Sequence, residues 1–186
     1  MIDFIKLHRR AMQSFDRRLR RVASADLTRQ TPCPDWNVRA LIAHVVEADE
    51  WVRQLLHGSR HDEIQVDEDV LGADPYVAWR KSADAVHAAF ARSDGPQRMV
   101  DHPVGRIPAG RLVFFRCLDT LVHSWDLARA IGEDERLDAV AVDHCLQVVA
   151  PVVLMFGATG LYGPVVTLQA DTDPQTELLG LLGRRA

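Results

Sequence analysis

The residues of this chain best suited to chemistry are an aspartate and two histidines set among apolar neighbours. Asp119 and His123 lie four residues apart in a stretch whose Leu112, Phe115, Leu118, Leu121, Val122 and Trp125 give a helix a largely apolar surround. Four residues is about one helical turn, so both side chains project from one face, roughly 6 Å apart along the axis. Two ligands at this spacing can close onto one ion, as the two histidines of a helical HExxH do. His44, between Leu41, Ile42, Val45 and Val46, is a similar polar residue in apolar company. A buried carboxylate without a partner carries a penalty of several kcal/mol, so Asp119 needs a cation, a hydrogen-bond network or solvent. One divalent ion shared by His44, Asp119 and His123 satisfies all three and leaves coordination positions open, as catalytic metal sites require. Spacing alone fits equally an ordinary ion pair on a helix surface, with His44 a hydrogen-bonded core histidine.

Other candidates surround these three. Asp126, seven residues after Asp119, falls on nearly the same face and is placed either to orient a ligand or to pair with Arg129. Arg116, three residues before Asp119, is placed to neutralise a substrate carboxylate or to pair with the acid. Trp36 and Trp125 read as core, Cys117 as lying opposite Asp119, and Cys33 as packing. His57, His61, His87 and His102 sit in or near polar segments and read as solvated. The three cysteines are far apart and form no CxxC, so neither a disulfide framework nor a thiolate zinc site is suggested. No GxSxG elbow, GxxxxGKS/T loop or GxGxxG is present, so serine hydrolase, nucleotide hydrolase and Rossmann dehydrogenase are unsupported.

The elements that must position these residues are helices. Phe4, Leu7, Ala11, Phe15, Leu19 and Val22 recur at steps of three and four and mark a first helix. Six arginines in it, from Arg9 to Arg21, spread around the helix and read as a solvated outer face. A loop broken by Pro32 and Pro34 leads to Asn37, which can cap a second helix over 38–57 that ends at Gly58. Asp74-Pro75 starts a third, marked by Tyr76, Trp79, Ala83, Val86 and Phe90. A Gly- and Pro-rich connection over 93–109, with a short extended piece near Met99 to Val104, precedes a fourth helix over 110–131 that stops at Gly132. A fifth spans 137–156 with a bend at Pro151, and a short last helix follows Asp173-Pro174. Four long helices predict an all-α bundle with one extra short C-terminal helix, as a single domain over 1–186.

Composition narrows the function classes. Hydrophobic residues make up 47% and charged residues 26%, and net charge is −4, which gives no general attraction to nucleic acid or acidic membranes. No apolar run reaches the roughly 18 residues of a membrane span, and Met1-Ile2-Asp3-Phe4 lacks a signal-peptide pattern. A cytoplasmic location is the expectation. No single apolar stripe is left over for a partner, and a homodimer stays open.

Thr31-Pro32-Cys33-Pro34-Asp35-Trp36-Asn37-Val38-Arg39-Ala40-Leu41-Ile42-Ala43-His44-Val45 resembles the N-terminal signature of the mycothiol-dependent maleylpyruvate isomerase family, one of the DinB-like metal-binding four-helix bundles. The stretch from Asp119-Thr120-Leu121-Val122-His123 through Ile131-Gly132 resembles its second motif. The tail from Asp173 to Arg184 is similar to a subgroup of small, single-domain actinobacterial members. The resemblance implies that His44, Asp119 and His123 bind a divalent metal, usually zinc, with nickel, iron or manganese as alternatives. Asp119 stands where the isomerase pattern has the longer glutamate, and the chain ends before the isomerase's second domain. The implied co-substrate is mycothiol, its thiol losing a proton at the metal and attacking a small electrophile by S-transfer or by reversible addition that isomerises a double bond. A non-catalytic metal-binding or regulatory protein, and a metal-dependent hydrolase using bound water, are the alternatives.

Overall fold

The computed structural model describes residues 3–92, 96–152, 163–167 and 172–186. Among these, helices dominate: α1 (Phe4–Leu19), α2 (Val38–Leu56), α3 (Pro75–Arg92), α4 (Ala109–Ile131), α5 (Ala139–Val149) and α6 (Pro174–Leu181). Each long helix starts or stops where its local chemistry dictates. Asn37 Oδ1 accepts the backbone N–H of Ala40 at 2.9 Å and caps α2. Asp74 takes the N–H groups of Tyr76 and Val77 at the head of α3. Gly132, with φ +75°, ends α4 in the left-handed conformation that glycine adopts without a Cβ clash.

α4 is the central element. At 23 residues it is about 35 Å long, and it packs against α1, α2 and α5, while α3 lies on α2 and α1. Its apolar residues feed core clusters on different sides. Leu118, Leu121 and Trp125 join Leu7, Val142 and Leu178, Leu127 joins Phe15, Leu41 and Trp79, and Leu112 joins Val52, Val86 and Phe90. Burial of each such side chain contributes ~1.5–3 kcal/mol, which fixes the rotation of α4 and hence the direction of its polar residues. The extended piece between α3 and α4 is an antiparallel hairpin, β1 (Met99–His102) and β2 (Gly105–Pro108), with His102 opposite Gly105 and Met99 opposite Pro108. Val100 and Ile107 turn inward from it and close the third cluster.

Three expectations need correction. α5 begins at Ala139 behind the capping Asp138, and past Val149 it tightens into a 3-10 turn, Ala150–Val152, holding Pro151. A proline removes an N–H and crowds the preceding turn, which interrupts the α-helical pattern there; positions 153–156, the rest of the expected helix and the far side of its expected bend, lie outside the described residues. The arginines of α1 do not all face water. Arg18 continues the Leu7, Ala11, Ser14 face and is buried, donating to Ser14 Oγ at 2.6 Å, Ser124 Oγ at 3.0 Å and the carbonyls of Asp134 and Arg136 at 2.7 Å. It thereby ties α1 to α4 and to the turn after it. Of the histidines read as solvated, His57 is exposed, but His61 bonds Asp101, His87 stacks on His8, and His102 lies against the rings of Trp51 and Phe115.

Candidate metal centre

Three elements bring the centre together. α2 supplies His44, α4 supplies Asp119 and His123 one turn apart, and the loop before α2 supplies Trp36 and Cys33. That loop is shaped by its own sequence. Pro32 and Pro34 restrict the backbone, Thr31 pairs with Trp36 through both its N–H (3.1 Å) and its Oγ1 (2.8 Å), and Gln30 Nε2 donates to the carbonyls of Cys33, Pro34 and Trp36. The closed loop holds the indole of Trp36 against both imidazoles, with ring centroids 4.5 Å from His44 and 5.6 Å from His123. Trp36 therefore faces the centre, whereas Trp125 is core, with Arg129 stacked on its ring.

Asp119 Oδ1 lies 3.3 Å from His44 Nε2 and 3.4 Å from His123 Nε2. A tetrahedral ion with ligand bonds of ~2.0–2.1 Å separates neighbouring ligand atoms by about 3.4 Å. The spacing of these nitrogens and this oxygen therefore fits a divalent cation, and the His44, Asp119 and His123 donor atoms all lie within 4.8 Å of one another. The side chains are 33%, 19% and 5% exposed in that order, so the group opens to solvent on the His44 side and is walled on the His123 side.

Behind the ligand candidates stand two acids and two arginines. His123 Nδ1 bonds Asp126 Oδ2 at 2.9 Å, which leaves Nε2 directed at Asp119. Asp126 in turn accepts from Arg184 at 3.0 and 3.3 Å, 58 residues away; Arg129, its other expected partner, pairs with Glu135. Arg116 Nη1 donates to Asp119 Oδ2 at 2.6 Å, and its other face meets Asp49, in a fully buried pair that sequence reasoning did not find. The only signal of Asp49 in the sequence is an acid among the apolar positions of α2, one turn past Val45. Arg116 is thus turned into the bundle, its guanidinium paired with both Asp119 and Asp49.

The charges shift one another's protonation. Burial favours neutral His123, but Asp119 and Asp126 outweigh it and hold its pKa well above the usual histidine value. Burial likewise opposes ionised Asp119, and the His123 and Arg116 cations outweigh it, holding the carboxyl well below the usual range. The positive charge opposite Asp119 comes from the His123 imidazolium and the Arg116 guanidinium.

Cys33, read as packing, has its Sγ 3.5 Å from Asp126 Oδ2 and 3.4 Å from Arg184 Nη2. Cys33, His123 and Asp126 also bring donor atoms together. The Arg184 guanidinium already supplies the cation there, and repulsion from it disfavours a metal ion. A third cluster, His61, Asp62 and Asp101, has Asp62 exposed and paired with Arg60. The acidic loop 62–69 and the segment 93–109 precede and follow α3 in the chain. Gln65 to Asp67, Asp69 and Val70 line a groove of about 560 Å³ with Val46, Glu50 and Arg53 of α2 and Lys81 of α3. None of the three ligand candidates lines it, and the described part of the second segment forms the hairpin.

A family model described as the mycothiol maleylpyruvate isomerase N-terminal domain matches residues 8–128. The chain is 30% identical over 186 residues to uncharacterized proteins of two strains of Mycobacterium tuberculosis, covering 98% of this chain and 98% of each relative. Among solved structures, it superposes on a mycothiol-dependent maleylpyruvate isomerase and on a mutant of it with TM-scores of 0.66 and 0.67 at 18% identity. The match covers 90% of this chain and 75% of those, and shows a shared, DinB-like helical fold.

Proposed function

The chain belongs to the mycothiol maleylpyruvate isomerase N-terminal domain family, and from that premise we propose that it is a metal-dependent isomerase or S-transferase that uses mycothiol on a small electrophile. The observation that carries this reading is the convergence of His44 Nε2 and His123 Nε2 on Asp119 Oδ1, at 3.3 and 3.4 Å, with the three donors within 4.8 Å of one another and an opening to solvent beside them. A divalent ion held there, zinc or another cation that accepts imidazole and carboxylate, supplies a Lewis acid that favours thiolate over thiol.

The protein's own residues do the rest. Asp126 accepts the Nδ1–H of His123 and fixes the ring so that Nε2, on losing its proton, would face a cation beside Asp119. Trp36 lies over both imidazoles and restricts water on that side. His44, one-third exposed, leaves the approach through which thiol and electrophile meet. Among the described residues the group offers three protein ligands, and an open position of that kind distinguishes a catalytic site from a closed structural one, which favours an enzyme over a non-catalytic metal-binding protein. A hydrolase using bound water at the same centre is the second reading.

Metal content decides the first step. One equivalent of metal in the wild type, lost in His44→Ala and His123→Ala, is the expected result. Metal-loaded protein is then assayed with mycothiol and cis-configured unsaturated diacids or other electrophiles. Thiol-dependent turnover is expected; turnover without thiol identifies the hydrolase, and wild type that takes up no metal overturns the proposal.

A further inference from the structure

Behind the candidate ligands a chain of polar side chains crosses the bundle from α3 to α4. Ser82 Oγ lies 3.2 Å from Asp49 Oδ2 and 3.0 Å from the Trp79 carbonyl, the two acceptors that share its one proton. Asp49 Oδ1 accepts from Arg116 Nε at 2.9 Å and Nη2 at 2.8 Å. Arg116 Nη2 also meets the Val45 carbonyl at 3.3 Å and Thr120 Oγ1 at 3.2 Å, while Nη1 reaches Asp119 Oδ2 at 2.6 Å. Both the Arg116 and Asp49 side chains are only 3% exposed. Two buried charges cost several kcal/mol each to desolvate, and well-packed apolar residues often replace such a pair with no loss of stability. Stability alone is therefore a weak reason for an arginine and an aspartate at these positions.

Their geometry supplies a stronger one. The two oxygens of Asp119 face different partners: Oδ1 faces His44 and His123, and Oδ2 faces Arg116. We propose that Arg116 and Asp49 are positioning residues for the metal centre, Arg116 engaging Oδ2 so that Asp119 offers a cation one oxygen rather than two. A carboxylate that binds through both oxygens would take up one further coordination position, and that position is one the thiol and electrophile need. Asp49 neutralises the guanidinium, so that a fixed positive charge hydrogen-bonded to a ligand does not repel the dication. Ser82 borders the far oxygen of Asp49 from α3, which leaves Oδ1 to Arg116 of α4. The inference rests on the reading of His44, Asp119 and His123 as metal ligands.

Cobalt(II) is the probe, because its visible absorption weakens as coordination rises from four to five or six. Wild type, Asp49→Asn, Arg116→Lys and the apolar double variant Asp49→Leu/Arg116→Met are titrated with cobalt, with folding checked by circular dichroism and thermal melting. The double variant is expected to fold, to bind one equivalent and to show a weaker visible band, because Oδ2 is released. Asp49→Asn is expected to lose about tenfold or more in zinc affinity, in the range seen for residues that support metal ligands. If the apolar pair does not fold, Arg116→Lys carries the spectral test, since one ammonium cannot hold both Asp49 and Asp119 Oδ2 in this geometry. Unchanged cobalt spectra and unchanged zinc affinity in folded variants overturn the positioning role and leave the metal centre standing. Wild type that binds no cobalt overturns both.

Discussion

His8 is a residue whose burial sets a measurable property of the fold. It lies on the Phe4, Leu7, Ala11 side of α1, is fully buried against His87 and Phe90, and neither ring nitrogen has a hydrogen-bond partner among the described residues. Desolvation first, then the nearby Arg116 and His87, push its pKa down to about 3. In the unfolded chain it titrates near 6.5, so the unfolded state binds more protons at acid pH. The stability that this neutral ring confers is complete above pH 6.5 and drains away as pH falls toward 3. Linkage gives a loss of about 2 kcal/mol between pH 7.5 and 5 from this group. Urea unfolding at both pH values is expected to show that loss in wild type and to show it shrunken by about that amount in His8→Phe. Equal pH dependence in the two proteins would contradict the assignment. The i,i+4 pair Asp119 and His123 was legible in the sequence because their relation is local. Burial of His8, by contrast, depends on how α1 meets α3, and its sequence neighbours Arg9 and Arg10 point away from any such reading.

At the scale of elements, caps and periodicity spoke plainly. The starts of α2, α3 and α6 and the stops at Gly58 and Gly132 fall where Asn37, Asp74, Asp173 and the two glycines predict. Each is a contact within four residues, so the signal and its cause share one stretch of chain. Asn37 has a second part to play, since the cap fixes the first turn of α2 seven residues ahead of His44 and closes the loop that carries Trp36. Asn37→Ala is expected to lower stability by about 1 kcal/mol in chemical unfolding while retaining one equivalent of metal. Loss of the metal instead would mean that the cap orders the centre itself. Arg18 was less legible. Its sequence position among six arginines suggests a solvated face, and only its register with Leu7, Ala11 and Ser14 marks it as inward.

For the whole molecule, the centre joins α2 to α4 through side chains 75 residues apart, and Arg184 ties the C-terminal tail to Asp126 across 58. A cation that binds only the assembled pair of helices stabilises the folded state by mass action, by ~2.7 kcal/mol at one hundred times its dissociation constant. Scanning calorimetry is expected to show a higher melting temperature with zinc than with chelator, and no such difference in His123→Ala. A wild type that melts identically in both would mean that the ion does not select the native fold.

Helix identity, the capped helix limits at Asn37, Asp74, Asp173 and Gly132, and the pairing of Asp119 with His123 were determined by the sequence itself, because each follows from residues within a turn or two. Tertiary structure decided what those residues meet. It set Trp36 over the imidazoles, gave Asp126 to His123 and Arg184 rather than to Arg129, turned Arg116 inward onto Asp49, and put the acidic loop beside a groove that none of the three candidate ligands lines. These contacts join residues that are far apart in the chain, and local propensity carries no information about them. They come from the one rotation and offset of the helices that bury their apolar faces together, and that arrangement exists only once the bundle has closed.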